Sequence, residues 1–437
     1  MKKTLLLILG LIILISTIAQ EVPEYKRSSL SLIQLESENF PFKDIVIKTY
    51  NNHPFPDKYN QHNLDNKNFP IEKVKLNEED LLAAGFYRDT LKNPLKIAAA
   101  TSKAEENGQT IRYLNNEKTI AVIDPNAEEQ IPGKILKFIN DKQIGKQIAA
   151  SWFNIKEDGS YNLDTIAARG KYSASQDAKD QAGLGADNLE TALYDEALIG
   201  NTFTIFNKMK FVENEPVAYV IREAGKIAAK AKLKEPFLTP ALTALDATYE
   251  LTKEGYSVWT TSFLYQFDWS KETAEQFRFN YLDTDDFAKN WKNDTVCKLK
   301  YVGSSKATSV IIFPINGKTP QNEVIKIGVD RNIDKVFVQL QKTYPVFRSS
   351  VKIFSVGPVK AQIGLKDGVE AGQSYGILKW DPKAKDGLGD YVQKGKVKVD
   401  KNFPIWDNRV GANDTINATT FTGGKKLMGF EYLKLIK

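Results

Sequence analysis

Two long alternating runs constrain this chain more than any other feature. In LIGNTFTIFNKMKFV, residues 198–212, Phe203, Ile205, Met209 and Phe211 alternate with Thr202, Thr204, Lys208 and Lys210. In YSVWTTSFLYQFDW, residues 256–269, Trp259, Phe263, Tyr265, Phe267 and Trp269 share one face. Successive side chains of a strand point to opposite faces, so each run reads as a strand with a dry side and a wet side. The two predict antiparallel neighbours. Between them, residues 215–253 read as two helices broken at Pro236 and Pro240.

Other elements group around this pair. KTIAVIDP, ending at Pro125, suits a buried strand, and IPGKILKFINDKQIGKQIAASWF suits a helix with Pro132 near its start. Ile135, Phe138, Ile139, Ile144, Ile148 and Trp152 recur at roughly helical spacing. Six such side chains contribute on the order of 10 kcal/mol of burial before entropy. YNLDTIAARG reads as a second strand, and SASQDAKDQAGLGADNLETALYDEA as a helix with a glycine break. VCKLKYV and TSVIIFPI are further apolar runs, the second closed by a turn at Asn316-Gly317. A long helix follows with Val324, Ile327, Val336, Leu340 and Tyr344 on one stripe.

Residues 118–345 therefore read as an α/β domain with a mixed or antiparallel sheet and packed helices. Residues 20–117 read as an irregular arm or small lobe in which strand-like runs such as DIVIKTY alternate with polar stretches. Residues 346–437 change character: short strands spaced by Gly, Asp and Pro suggest a small β-barrel. In IGLKDGVEAGQSYGILKW, Gly364, Gly368, Gly372 and Gly376 mark turns or bends where a Cβ would clash or φ must be positive. The expected class is α+β with a C-terminal barrel.

MKKTLLLILGLIILISTIAQ has two lysines, an apolar run from Leu5 to Ile15 and small residues after it. This is the pattern of a secretory leader, residues 1–19, cleaved before Gln20. The run is shorter than the ~20 apolar residues of a spanning helix, and no later segment is apolar enough to span. The expected location is periplasmic or outer-membrane associated, with peripheral membrane contact open. The net charge of +6 falls by two when Lys2 and Lys3 leave with the leader, and the excess is dispersed, which does not argue for nucleic acid. Cys297 is the sole cysteine, so no internal disulfide forms and packing must supply stability.

Candidate reactive groups are sparse. His53 and His62, with Asp57 and Asp65 nearby, sit in a polar stretch whose spacing matches no metal-site pattern, so solvated loop is the favoured reading. A Ser-His-acid triad would have to recruit one of these histidines, and no G-x-S-x-G elbow exists. Cys297 lies beside Leu299 in an alternating run and reads as buried and inert. Asp283, Asp285 and Asp286 in YLDTDDF faintly resemble a calcium loop or a glycosidase pair, but acids at a helix start complement the macrodipole, which is the favoured reading. GLGADN at 183–188 lacks the third glycine of a dinucleotide fingerprint. In REAGKIAAKAKLKEP, Val220, Ala224, Ile227 and Ala231 line one side and Arg222, Lys226, Lys230 and Lys234 much of the rest. Such a helix could lie on an anionic membrane or a partner, but packing on its own sheet is the favoured reading. The expectation is no catalytic residue, no cofactor and no metal.

The order of TIAVIDP, IGKQIAASWF, LDTIAARG and ALIGNTFTIF resembles the periplasmic α/β domain shared by CsgG, LpoB, the amino-terminal part of TolB and the middle of FlgT. IGLKDGVEAGQSYGIL is similar to the small barrel that ends FlgT, with its Gly-x-x-x-Gly-Val-x-x-Gly-x-x-aromatic phrase. The resemblance covers residues 118–437 and implies a non-catalytic cell-envelope scaffold or partner-binding protein, part of an outer-membrane-associated assembly, with envelope proteins as partners and self-association open. The chain departs from CsgG in lacking a lipid-anchor cysteine and in placing a helical hairpin between the two long strands. Lys208 and Lys210 are costly on a lipid-facing barrel, which argues against a pore. The alternative is a secreted glycan-active hydrolase or glycan-binding protein.

Overall fold

The computed structural model describes residues 27–36, 41–56, 58–64, 67–77, 80, 110–114, 119–123, 130–169, 196–284, 286–313, 320–384, 389–424 and 426–436. The leader, Asp57, Asp65, Asp285, GLGADN and the Asn316-Gly317 turn lie outside the described residues. So does most of the helix expected near residue 180.

In chain order, strand β1 (Ser28–Glu36) leads to helix α1 (Lys43–Asn51), then the short strands β2 (Tyr59–Gln61) and β3 (Asn68–Pro70). Strands β4 (Thr110–Leu114) and β5 (Thr119–Ile123) follow, then helices α2 (Ile131–Asp141), α3 (Ile144–Phe153) and α4 (Asp164–Arg169). Strand β6 (Thr202–Glu213) runs into helices α5 (Asn214–Lys232) and α6 (Leu238–Thr252), which return to strand β7 (Gly255–Phe267). Helices α7 (Lys271–Phe277) and α8 (Phe287–Lys292), strand β8 (Leu299–Ile312) and the long helix α9 (Gln321–Thr343) complete this part.

The main sheet has the order β2-β1-β6-β7-β8, with β3 also on β1. β1 is parallel to β2, β3 and β6, while β6, β7 and β8 are antiparallel, so the sheet is mixed. The two alternating runs pair as expected, Phe206 opposite Phe263.

Helices cover both faces. On one, Ile33, Leu35, Phe206, Phe263, Tyr265 and Phe267 pack with Ile135 and Phe138 of α2, Ile148, Trp152 and Phe153 of α3, and Phe277 of α7. On the other, Leu30, Phe203, Ile205, Met209, Val258 and Leu264 pack with Val46 and Tyr50 of α1 and with Val329, Ile333, Val336 and Leu340 of α9. The one-dry-face reading of β6 therefore holds only for its far end. Thr202 and Thr204 are fully buried because α3 and its neighbours cover their side. Trp259, on the β7 face with Phe263, is 53% exposed because the covering helices stop short of it.

Four local expectations are corrected. DIVIKTY is helix α1, since Val46, Thr49 and Tyr50 meet α9 at helical spacing. LDTIAAR is helix α4, opened by Asn162 Oδ1 accepting from the Asp164 N–H at 3.1 Å. The runs around Lys300 and Val310 are one strand, β8, kinked at Gly303. Residues 28–36, expected in an irregular arm, pair in register with β6, Leu30 opposite Phe203. TIAVI is a strand as expected, but it pairs with β4 in a separate two-stranded sheet.

The C-terminal part is a closed barrel of six strands, β9 (Ser350–Val356), β10 (Val359–Ala361), β11 (Ser374–Asp381), β12 (Asp390–Val399), β13 (Thr419–Gly423) and β14 (Tyr432–Leu435). Every pairing in it is antiparallel, in the order β10-β13-β12-β11-β14-β9. Ile353, Val359, Ile377, Val397, Phe421 and Leu433 fill its interior, so it is a packed core.

Candidate functional site

The barrel meets α9 through polar contacts. Arg348 donates to the carbonyls of Gln341 (2.8 Å), Lys342 (3.1 Å) and Ile436 (2.7 Å), tying the end of α9 to the chain after β14. The one-turn helix Leu365–Asp367 presents Asp367 to Lys58 at 2.9 Å and Lys366 to Asp334 at 3.6 Å. Asp367 also accepts from the Gly364 N–H at 3.0 Å and from Asn408 at 2.9 Å. Burial alone would raise its pKa, but the Lys58 charge and these hydrogen bonds outweigh it and hold the carboxyl below its usual range.

His53 belongs to this junction and is not solvated. Its Nδ1 lies 2.9 Å from Asp330 Oδ1 and its Nε2 3.4 Å from Asp334 Oδ1, and all three side chains are buried. Burial alone would lower its pKa, but the hydrogen bonds and charges of Asp330 and Asp334 outweigh it and raise the pKa above 6.5.

His62 lies on the other side of the sheet. Its Nε2 faces the Ile148 carbonyl at 3.2 Å and its Nδ1 faces Arg169 at 2.8 Å, so the neutral ring donates to the carbonyl and accepts from the guanidinium. Burial, then the Arg169 charge, lower its pKa to about 3. The two histidines therefore serve separate polar knots, and the solvated-loop reading is replaced for both.

Of the acids of YLDTDDF, Asp283 and Asp286 are described and each has a structural place. Asp283 pairs with Arg278 at 2.7 Å, and Asp286 precedes the first turn of α8. Cys297 is buried, and burial followed by the Asp294 charge raises its thiol pKa well above normal. Among the described residues no group of three or more His, Cys, Asp or Glu is placed to hold a metal ion. A cleft of about 640 Å³ opens beside the junction, lined in part by Phe55, Lys352, Trp406, Arg409 and Tyr432. Arg409 there is held by Asp407 at 2.6 Å.

The α5–α6 hairpin carries a row of exposed apolar side chains; Met428 beside the barrel and Phe279 after α7 are comparably exposed. Asn214 anchors its base by donating to the Ile311 carbonyl at 2.9 Å and accepting from Ser257 Oγ at 2.9 Å. Beyond that only Ala218 of α5 is buried, and no residue of α6 is. The expectation that this helix packs on its own sheet is thus corrected. A 19-residue helix extends about 28 Å, and beyond Ala218 none of it is buried.

The hairpin is assembled inside out. Its two helices are locked by polar and cation–π contacts: Lys226 to Asp246 at 2.5 Å, Tyr249 Oη donating to Glu215 at 2.8 Å, and Arg222 over the Tyr249 ring at 4.3 Å. Gly225 lets them approach, since a Cβ there would stand 2.8 Å from Leu245 Cδ2. Val220, Ile221, Ile227, Phe237 and Leu251 face solvent, Ile227 and Phe237 at 70% and 71%. A surface helix ordinarily turns such residues inward. The sequence did signal this: Val217 and Ile221 add to the Val220–Ile227 stripe and widen it beyond the face α6 covers.

Asp330 and Asp334 were missed altogether. Two acids one turn apart inside an apolar helix face were the available signal. Among the described residues no helix is long and apolar enough to cross a membrane. A scan against protein-family models finds no match, and a search of curated proteins finds none either.

Proposed function

We propose that this chain is a non-catalytic, exported scaffold of the cell envelope that works by docking through the α5–α6 hairpin. One observation carries the reading: a two-helix element that buries almost nothing of its own and holds a row of apolar side chains in solvent. Surface of this kind in a folded protein marks an interaction site. Three buried ionisable groups support the same reading, because each closes a structural knot. His53 joins α1 to α9, His62 joins β2 to α3 and α4, and Asp367 joins the barrel to Lys58. The long edge strand β8 is guarded against pairing with another strand, with Lys335 on the Thr308 carbonyl at 2.5 Å, Tyr344 on the Ser304 carbonyl at 2.6 Å, and Lys300 and Lys306 along it.

The test is photocrosslinking in the native envelope from Ile221 and, separately, from Thr308 on β8. The proposal expects a discrete protein adduct from position 221 and none from 308. No adduct from 221, with one from 308, would reject it.

A further inference from the structure

The hairpin carries two populations of charge. Its half nearest the sheet holds Glu213, Glu215, Glu223, Asp246, Glu250 and Glu254 against Arg222, Lys226 and Lys253. The three cations there are engaged, Arg222 with Glu223 at 2.9 Å, Lys226 with Asp246 at 2.5 Å, and Lys253 with Glu250 at 2.8 Å. The far half, residues 227–245, holds Lys230, Lys232 and Lys234 against Glu235, and Glu235 accepts from Thr239 Oγ1 at 2.6 Å. Residues 230–237 are all exposed. Ile227, Leu233 and Phe237 stand among these lysines.

We propose that the tip of this hairpin, residues 227–238, docks on an anionic lipid bilayer. The inference rests on the reading of the hairpin as the contact element and names what its tip contacts. Three lysines around an aromatic and two aliphatic side chains match the two layers of such a surface. The ammonium groups meet lipid phosphates while Phe237 and Leu233 at the tip enter the acyl boundary by about 5–10 Å and Ile227, farther up α5, stays at the headgroup level. Lysine stems run along the apolar side chains and keep their charges in the headgroups. The acidic half is repelled by the same surface, so the hairpin stands on its tip with the body of the protein held away.

The test uses the chain as purified after export in its host. Position 237 is changed to cysteine and labelled with an environment-sensitive fluorophore; buried Cys297 stays unlabelled. Leu251→Cys, at the base, is the control. Vesicles of phosphatidylglycerol and phosphatidylethanolamine are compared with vesicles of phosphatidylcholine. A blue shift at 237 and not at 251, on the anionic vesicles only and lost in high salt, is the expected result. Each lysine near an anionic surface is worth about fivefold in affinity, so the triple Lys→Glu variant at 230, 232 and 234 should bind at least about 100-fold more weakly. No shift at 237, an equal shift on neutral vesicles, or unchanged binding of the triple variant overturns the proposal. A protein crosslink captured at 237 also overturns it, while leaving the docking reading intact. A lipid shift at 237 without any adduct from 221 rejects only that earlier reading.

Discussion

At the residue scale, Gly368 has φ +72°, and a Cβ there would lie 2.3 Å from Val338 Cγ1 of α9. We predict that Gly368→Val destabilises the chain by ~2–5 kcal/mol, combining left-handed strain with overpacking. An unchanged denaturation midpoint would show the contact to be soft. The two histidines make opposite predictions. The raised pKa of His53 gives stability that is full below 6.5 and fades as pH rises through the folded value. The lowered pKa of His62, about 3, gives stability present above 6.5 and lost as pH falls toward 3. Ring nitrogen shifts in a pH titration should show His53 still protonated above pH 6.5 and His62 neutral with its proton on Nε2. A His53 that titrates at or below 6.5 would mean that burial outweighs Asp330 and Asp334.

At the element scale, β6 and β7 pair as far as Glu213 opposite Tyr256. Deleting residues 215–254 would leave Asn214 joined to Gly255, the Asn-Gly pair that two-residue hairpin turns favour. We predict that this deletion variant folds with an unfolding midpoint a few degrees from the parent and no longer associates with envelopes. A variant that fails to fold would make the hairpin part of the core. Much of the element pattern was legible in the sequence because it is local: the alternation of 202–211 and 256–267, the stripe of α2 and α3, and the glycine-spaced strands of the barrel. Misreadings fell where short windows fit two periods. DIVIKTY is rich in β-branched residues yet places Val46, Thr49 and Tyr50 one helical turn apart, and the packing against α9 decided between them. The hairpin was misjudged because its stripe resembles a core stripe, and only the three-dimensional neighbourhood shows that nothing covers it. The His53 cluster was invisible because the nearer of its two partners in sequence, Asp330, lies 277 residues away, and no local pattern encodes such a pairing.

At the scale of the whole molecule, the described residues form a mixed sheet between two helical layers, a small two-stranded sheet, a filled barrel, a polar junction of Lys58, His53, Asp330, Asp334, Lys366 and Asp367, and the α5–α6 hairpin. Buried polar contacts of this density fix the barrel relative to α9. In the proposed reading this body is the mount and the hairpin the part that engages something else. Amide hydrogen exchange tests this most directly, comparing the free chain with the chain bound in its native envelope. The account predicts that slowed exchange on binding is confined to residues 214–254. Slowing centred on the cleft around Trp406, with the hairpin unchanged, would contradict it.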